Sequence, residues 1–356
     1  MTSVERWVEV HRLAVAGGET AIARLLSRQL SPMWLRMSRF ADVVALVSLT
    51  LTLGPDAAAL HHLGRAQAAL GQARPALAAY EEALRLCRSA GDRPNEGVIL
   101  GEIGVMHGRL GDPQRALEYL EQSLPIAQEA GNRKGEAATL NNIGGVHDRL
   151  GDRRQALDYY ERVLPILREL GDRASEAILL SNIGLVHNGL GDRLRARSYL
   201  EQALPVQRDL GDRSGEAITL SNLGLVHSAL GDQTRAQDYF GQALHIHREV
   251  GDRRGEATTL NSLGFLYDTM GDRDRAMRFL KRALVIRREV EDRSGEAVTR
   301  FNMAMNYRAT GNLDQAVREL ELVVELDRQV SHPDLASDTA MLEQVRQELA
   351  RARAAS

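Results

Sequence analysis

Apolar residues return along this chain at helical spacing, in blocks of one size. Leu140, Ile143, Gly144, His147 and Leu150 fall on one face of a helix. The blocks are cut by two series of glycines. One is the dipeptide Gly91-Asp92, Gly171-Asp172, Gly211-Asp212 and Gly251-Asp252, with Gly131-Asn132 and Glu291-Asp292 filling the remaining 40-residue steps. The other is Gly111, Gly151, Gly191, Gly231, Gly271 and Gly311, so the cuts alternate every 20 residues. A glycine suits the left-handed position just past a helix end, and the Asp or Asn after it caps the next helix. Pro113, directly after Asp112, sits where a first-turn proline costs nothing. The pattern predicts an antiparallel helix pair repeated every 40 residues.

The repeat carries a family resemblance. Leu140-x2-Ile143-Gly144-x2-His147, followed by Ala156-x3-Tyr160, is similar to the tetratricopeptide pattern. The next copies give Leu180, Ile183, Gly184, His187, Ala196 and Leu200, then Leu220, Leu223, Gly224, His227, Ala236 and Phe240. Seven copies begin near Ala57, Gly97, Ala137, Ala177, Ala217, Ala257 and Ala297, covering 57–330. The 40-residue period and its GDR-x-x-E-A turn resemble the repeats of kinesin light chain and of the spindle-orientation adaptor Pins. The resemblance implies an all-α fold, a right-handed α-solenoid of antiparallel pairs. Stacking is obligatory, because no single pair buries its own apolar face. Gly144 and Ala156 let the helices of a pair approach, and Leu140 and Tyr160 fill the volume around them.

Both ends depart from the pattern. Residues 1–56 read as degenerate helices, with Arg39-Phe40-Ala41-Asp42 echoing a second-helix start. With Trp34, this segment resembles the stretch after the ATPase core of bacterial STAND-type signalling proteins. Residues 331–356 read as a polar capping helix and tail. Within the array, Arg300 replaces a core leucine and Glu291 replaces the turn glycine. Pro125, Pro165 and Pro205 fall inside three consecutive second helices, where bends are expected. Glu96, Glu136, Glu176, Glu216, Glu256 and Glu296 hold one register at helix starts, where the helix dipole favours an acid.

Composition narrows the function classes. Lys+Arg 45 against Asp+Glu 48 gives a net charge of −3, without the basic excess of a nucleic-acid binder. Lysine occurs only at Lys134 and Lys281, an arginine bias that suggests a GC-rich bacterial source. The single cysteine, Cys87, excludes an intramolecular disulfide and fits a reducing compartment. Charges at Glu5, Arg6, Glu9 and Arg12 interrupt any signal-peptide core. The most apolar run, Val43 to Leu53, is about half the ~20 residues a spanning helix needs. A cytoplasmic protein without membrane contact is expected.

Chemistry finds no foothold in the motifs. No Gly-Lys pair exists for a P-loop, and neither G-x-S-x-G nor H-E-x-x-H occurs. His107, His147, His187 and His227 share one repeat position, where the family usually has Tyr and where Tyr267 and Tyr307 stand later. Equivalent side chains on helices about 8–10 Å apart point parallel, whereas zinc needs ligands converging at about 2.0–2.1 Å. The series reads as packing. No metal, no cofactor and no enzyme activity are expected.

The resemblance implies that the second, fifth, sixth, ninth and twelfth positions of each first helix approach a concave groove. The sixth reads His62, Glu102, Asn142, Asn182, Asn222, Ser262 and Asn302. A carboxamide both donates and accepts, so Asn142, Asn182, Asn222 and Asn302 suit either a ligand's backbone or a tie between neighbouring helices. The ninth reads Val105, Gly145, Leu185, Leu225, Phe265 and Met305. Pins-like repeats tend to carry a second Asn there; here Leu185, Leu225, Phe265 and Met305 form an apolar stripe, either a partner site or buried against the adjacent first helix. The expected function is a non-catalytic scaffold that binds a peptide or a partner's helix in the groove. A bacterial peptide-pheromone receptor is a narrower form of that reading. The alternative is a regulatory sensor module of a STAND-type signalling or transcriptional-regulator system.

Overall fold

The computed structural model describes residues 3–330 and 333–355, and among these it contains 18 helices and no strand. They form two compact units, one up to Asp172 and the other from Arg173 onward. The first unit holds α1 (Ser3–Ala16), α2 (Thr20–Arg36), α3 (Phe40–Leu51), α4 (Ala57–Ala69), α5 (Ala73–Ala90), α6 (Arg93–Arg109), α7 (Pro113–Glu129), α8 (Arg133–Arg149) and α9 (Arg153–Leu170). The second holds α10 (Arg173–Gly189), α11 (Arg193–Leu210), α12 (Arg213–Ala229), α13 (Gln233–Glu249), α14 (Arg253–Thr269), α15 (Arg273–Glu289), α16 (Arg293–Ala309), α17 (Leu313–Val330) and α18 (Leu335–Ala355). From α4 to α17 each even-numbered helix packs along the odd-numbered one after it, giving seven pairs in an α-solenoid arrangement.

The sequence punctuation sets the boundaries. Asp212 and Asp252 accept the backbone N–H of Gly215 and Gly255, both at 2.9 Å, and Asp112 and Asp272 cap α7 and α15 in the same way. Each cap satisfies one of the donors a helix start leaves free. Fourteen of the turns between helices place a glycine at positive φ. Glu291 adopts the same left-handed conformation at φ 53°, so the turn keeps its form and the residue carries the strain.

Within each pair the small residues allow close contact. A Cβ on Gly224 would lie 2.6 Å from the ring of Phe240, and that ring is buried. Burying such a side chain contributes about 1.5–3 kcal/mol. Where the first helices lack this glycine, Ala304 takes its place, fully buried beside Leu320. The helices α7, α9 and α11 run unbroken through Pro125, Pro165 and Pro205. All three prolines lie on the exposed side, where the carbonyl each one frees can face water.

The glutamate register does more than answer the helix dipole. Glu216 is buried and takes Arg208 of α11 at 2.7 Å and Arg213 of its own helix at 2.6 Å. Arg213 reaches on to Glu249 of α13, also at 2.6 Å. One carboxylate thus joins three consecutive helices, and Glu96 and Glu256 repeat the arrangement. Burial pushes the carboxyls of Glu96 and Glu256 up, but their arginines outweigh it and hold both below the usual carboxylate range.

The ends use the same physics. Trp34 is buried with Val43 and Val47 of α3 and Ala59 of α4. At the other end, Leu342 and Val345 of α18 are buried against Leu320 and Val324 of α17. Arg308 pairs there with Glu348, and Arg346 with Glu321. Of the expected C-terminal segment, residues 331, 332 and 356 lie outside the described residues.

Candidate interaction surface

In the second unit the first helices α10, α12, α14 and α16 touch one another side by side, tied by short polar bridges. Ser181 Oγ lies 2.7 Å from Thr219 Oγ1, and Ser221 Oγ lies 3.1 Å from Thr259 Oγ1. Along this row the ninth-position side chains alternate in exposure. Leu185 is 42% exposed and Phe265 52%. Leu225 and Met305 are half-buried, each leaning on the core beneath it. A second exposed row lies seven residues, or two helical turns, earlier: Ile178, Ile218 and Val298. Residues i and i+7 share a helix face, so Ile178 stands beside Leu185 and Ile218 beside Leu225. Sequence reasoning named the second position without singling out these side chains, although Val98, Ile178, Ile218 and Val298 stand at that one repeat position.

The carboxamides lie between the two apolar rows. Asn182 and Asn222 are half-exposed, one turn from each row. Asn302 Nδ2 donates to Asn261 Oδ1 at 3.1 Å, so this member ties α16 to α14. Asn142 belongs to the first unit, on α8.

Beneath the row, the second helices carry a buried polar series. Gln207 Nε2 lies 3.4 Å from Ser181 Oγ. His247 Nδ1 is 2.9 Å from a carboxylate oxygen of Asp252. Arg287 pairs with Asp292 at 2.5 Å and reaches Thr258 Oγ1 at 3.4 Å. Gly295 makes way for it: a Cβ there would lie 1.5 Å from an Arg287 nitrogen. Arg300, in place of the core leucine, is buried between Glu296 and Glu319. Burial raises the Glu296 carboxyl, and the bonds from Arg288 and Arg300 overcome that and hold it low.

The histidine series faces the second helix of its own pair. The rings of His107, His147 and His187 stack on Tyr119, Tyr159 and Tyr199 at 5.4–5.5 Å, and Tyr267 stacks on Phe279 at 5.3 Å in the same place. His227 packs tilted on Tyr239, and burial lowers its pKa. Each of the four has one cap carboxylate at 3.6–4.0 Å. No group of three or more His, Cys, Asp or Glu able to hold a metal occurs among the described residues. The stacking tyrosines three residues after the repeat's Ala went unread in the sequence.

A family model described as tetratricopeptide repeat matches residues 55–129, 95–169, 175–249, 234–289 and 255–329. The chain belongs to the tetratricopeptide repeat family. A search of curated proteins gives no match. Among solved structures, the apo quorum sensor NprR from B. thuringiensis is 15% identical with TM-score 0.69, covering 91% of this chain and 98% of that one. A Rap protein complexed with Competence and Sporulation Factor is 16% identical with TM-score 0.63, over 94% and 99%. A STAND protein with a tetratricopeptide repeat sensor from Pyrococcus horikoshii is 16% identical with TM-score 0.64; the match takes in 95% of this chain and spans about half, 52%, of that protein. At these identities the likeness is one of fold. No helix among the described residues is long and apolar enough to cross a membrane.

Proposed function

We propose that this tetratricopeptide chain is a non-catalytic interaction protein of the bacterial cytoplasm, binding a peptide or a partner's helix on the first-helix row of its second unit. The observation that carries the reading is the set of exposed apolar side chains on this row, Ile178 with Leu185 on α10, Ile218 on α12 and Phe265 on α14, with the carboxamides of Asn182 and Asn222 among them. Apolar rows supply burial energy and carboxamides supply donors and acceptors for a ligand backbone. The row forms the inner, concave side in this reading, because first helices touch each other while the second helices are held apart by them. The solved Rap relative, seen with a bound factor, supports a peptide as ligand class.

The test uses the most exposed side chains. Leu185→Asp with Phe265→Asp removes two apolar contacts, each worth about 1.5–3 kcal/mol against a ligand, and weakens partner capture by about a hundredfold or more. Val285→Asp, at an exposed position on α15, leaves capture unchanged. Helical content stays near wild type in both. Capture that survives the double substitution places the binding surface elsewhere.

A second reading, a sensor module of a STAND-type signalling system, draws on the likeness to the Pyrococcus protein over 95% of this chain. It uses the same surface and differs in what the bound state controls.

A further inference from the structure

The first unit has a cavity of about 460 Å³ between α6 and α8, floored by α7. It exists because side chains are missing at positions filled elsewhere in the array. Where α10 and α12 have Ile178 and Ile218, α8 has Ala138. Where they have Ser181 and Ser221, α6 has Gly101, and a Cβ there would meet only Ser123 Oγ, at 3.4 Å. Where α9 has Leu167 and Leu170, α7 has Ala127 and Ala130. Three helices contribute truncations to one space, and its volume falls in the range of ligand pockets, about 300–1,000 Å³.

The chemistry of the lining is specific. The walls include Val98, Val105 and Ile126. The buried hydroxyls are already used: Ser123 Oγ donates to the Gly97 carbonyl at 2.8 Å and meets Thr139 Oγ1 at 3.4 Å. The floor therefore asks no hydrogen bond of an occupant. At the first-helix face stand Glu102 and Asn142, both at the sixth repeat position, and Glu102 is the one charged residue in the lining. Among the described residues its basic contact is His61 Nε2, at 4.0 Å, and it has no arginine partner. An apolar well with a carboxylate and a carboxamide at its mouth complements a side chain with an aliphatic stem and a planar cationic head.

We propose that this cavity is an anchor pocket for an arginine side chain of an extended peptide. The stem packs between Val98, Val105 and Ile126, and the guanidinium donates to the Glu102 carboxylate and the Asn142 side-chain oxygen. The pocket rests on the reading of this chain as a peptide-binding protein, extends it to the first helices of the first unit, and names the side chain that a peptide bound there carries.

The probes are three capped tripeptides, acetyl-Ala-Arg-Ala-amide and its citrulline and norleucine counterparts. Each is titrated against the full chain while the methyl resonances of Val98, Val105, Ile126 and Ala138 are followed. The arginine peptide gives saturable shifts, and citrulline and norleucine bind about fivefold more weakly or less tightly still. Glu102→Gln brings arginine down to the citrulline level. Ala138→Ile installs the residue of α10 and α12, fills the well and abolishes the shifts without lowering the melting temperature; Ala127→Leu, borrowed from α9, does the same by a second route. Equal binding of arginine and norleucine, no saturable shift, or unchanged binding in both filled variants overturns the pocket. Leu185→Asp with Phe265→Asp leaves tripeptide binding intact. Loss of the pocket with partner capture still dependent on Leu185 and Phe265 removes this inference alone, and the reverse result removes the wider reading alone.

Discussion

The two units use one repeat position in opposite ways. In the penultimate turn of the second helices the first unit has Cys87, Ala127 and Leu167, and the second has Gln207, His247, Arg287 and Asp327. All seven are buried. The helices around the first six share one register, and the cap that follows is Asp except at Asn132, so the joint between pairs accepts either kind of side chain. In the first unit it is closed by apolar volume or, at Ala127, left open as a cavity. In the second, Gln207, His247 and Arg287 close it with polar groups that lie against a first helix or its cap. Above the closed joint the second unit presents exposed apolar side chains at Ile178, Leu185, Ile218, Phe265 and Val298. The repeat fixes where side chains point, and a few substitutions decide whether the face is a well or a platform.

Exchanging the two solutions tests the comparison most severely. Ala127→Arg introduces an arginine where the cap is Asn132 rather than the aspartate that receives Arg287. A buried charge without its partner costs about 3 kcal/mol or more, and Asn132→Asp added to it recovers part of the loss. Denaturant unfolding of the single and double variants checks both signs. Arg287→Ala is expected to lose about 3 kcal/mol, since it leaves a void beside Asp292. Arg287→Leu, the solution of α9, stays within about 1 kcal/mol of wild type.

Acid sharpens the contrast. His62, in the first unit, is pushed down to about 4, mainly by burial and further by His61 and Arg65, with Asp56 acting in the opposite sense. The unfolded chain binds this proton near pH 6.5, so His62 contributes stability that is full above about 6.5 and lost as pH falls toward 4. His62→Asn, which installs the residue of α8, flattens that slope in hydrogen exchange of α4 and α5. Glu96, Glu256 and Glu296 carry depressed carboxyls, and their contribution is lost only as pH falls below the usual carboxylate range. The smallest expected effect is at the turn: Glu291→Gly relieves a left-handed residue and raises stability by about 1 kcal/mol, read as a higher melting temperature.

The fold was legible because its punctuation is local. Gly-Asp turns, caps and the Gly224–Phe240 type of contact are each set by residues close in sequence or one helix apart. The interaction surface was legible in part. Leu185 and Phe265 stand exposed, while Leu225 and Met305 lean into cores that only the packing of the next helix defines. The glutamate register was visible, but one arginine partner comes from the preceding helix and the other bridges on to a third, which follows from three-helix geometry. The cavity was the least legible feature, since it consists of truncations at Gly101, Ala127 and Ala138, each unremarkable alone.

The central claim is that the first-helix row of the second unit meets the partner. Its most direct test is photo-crosslinking from single positions in the source cell, with a benzophenone side chain at Phe265 or Leu185 and at Val285 as the outward control. Val285 is 56% exposed, so the control is as accessible as Phe265 at 52%. The account predicts a single saturable adduct from 185 and 265, lost when unlabelled partner competes, and none from 285. Adducts from 285 with none from 185 or 265 contradict it.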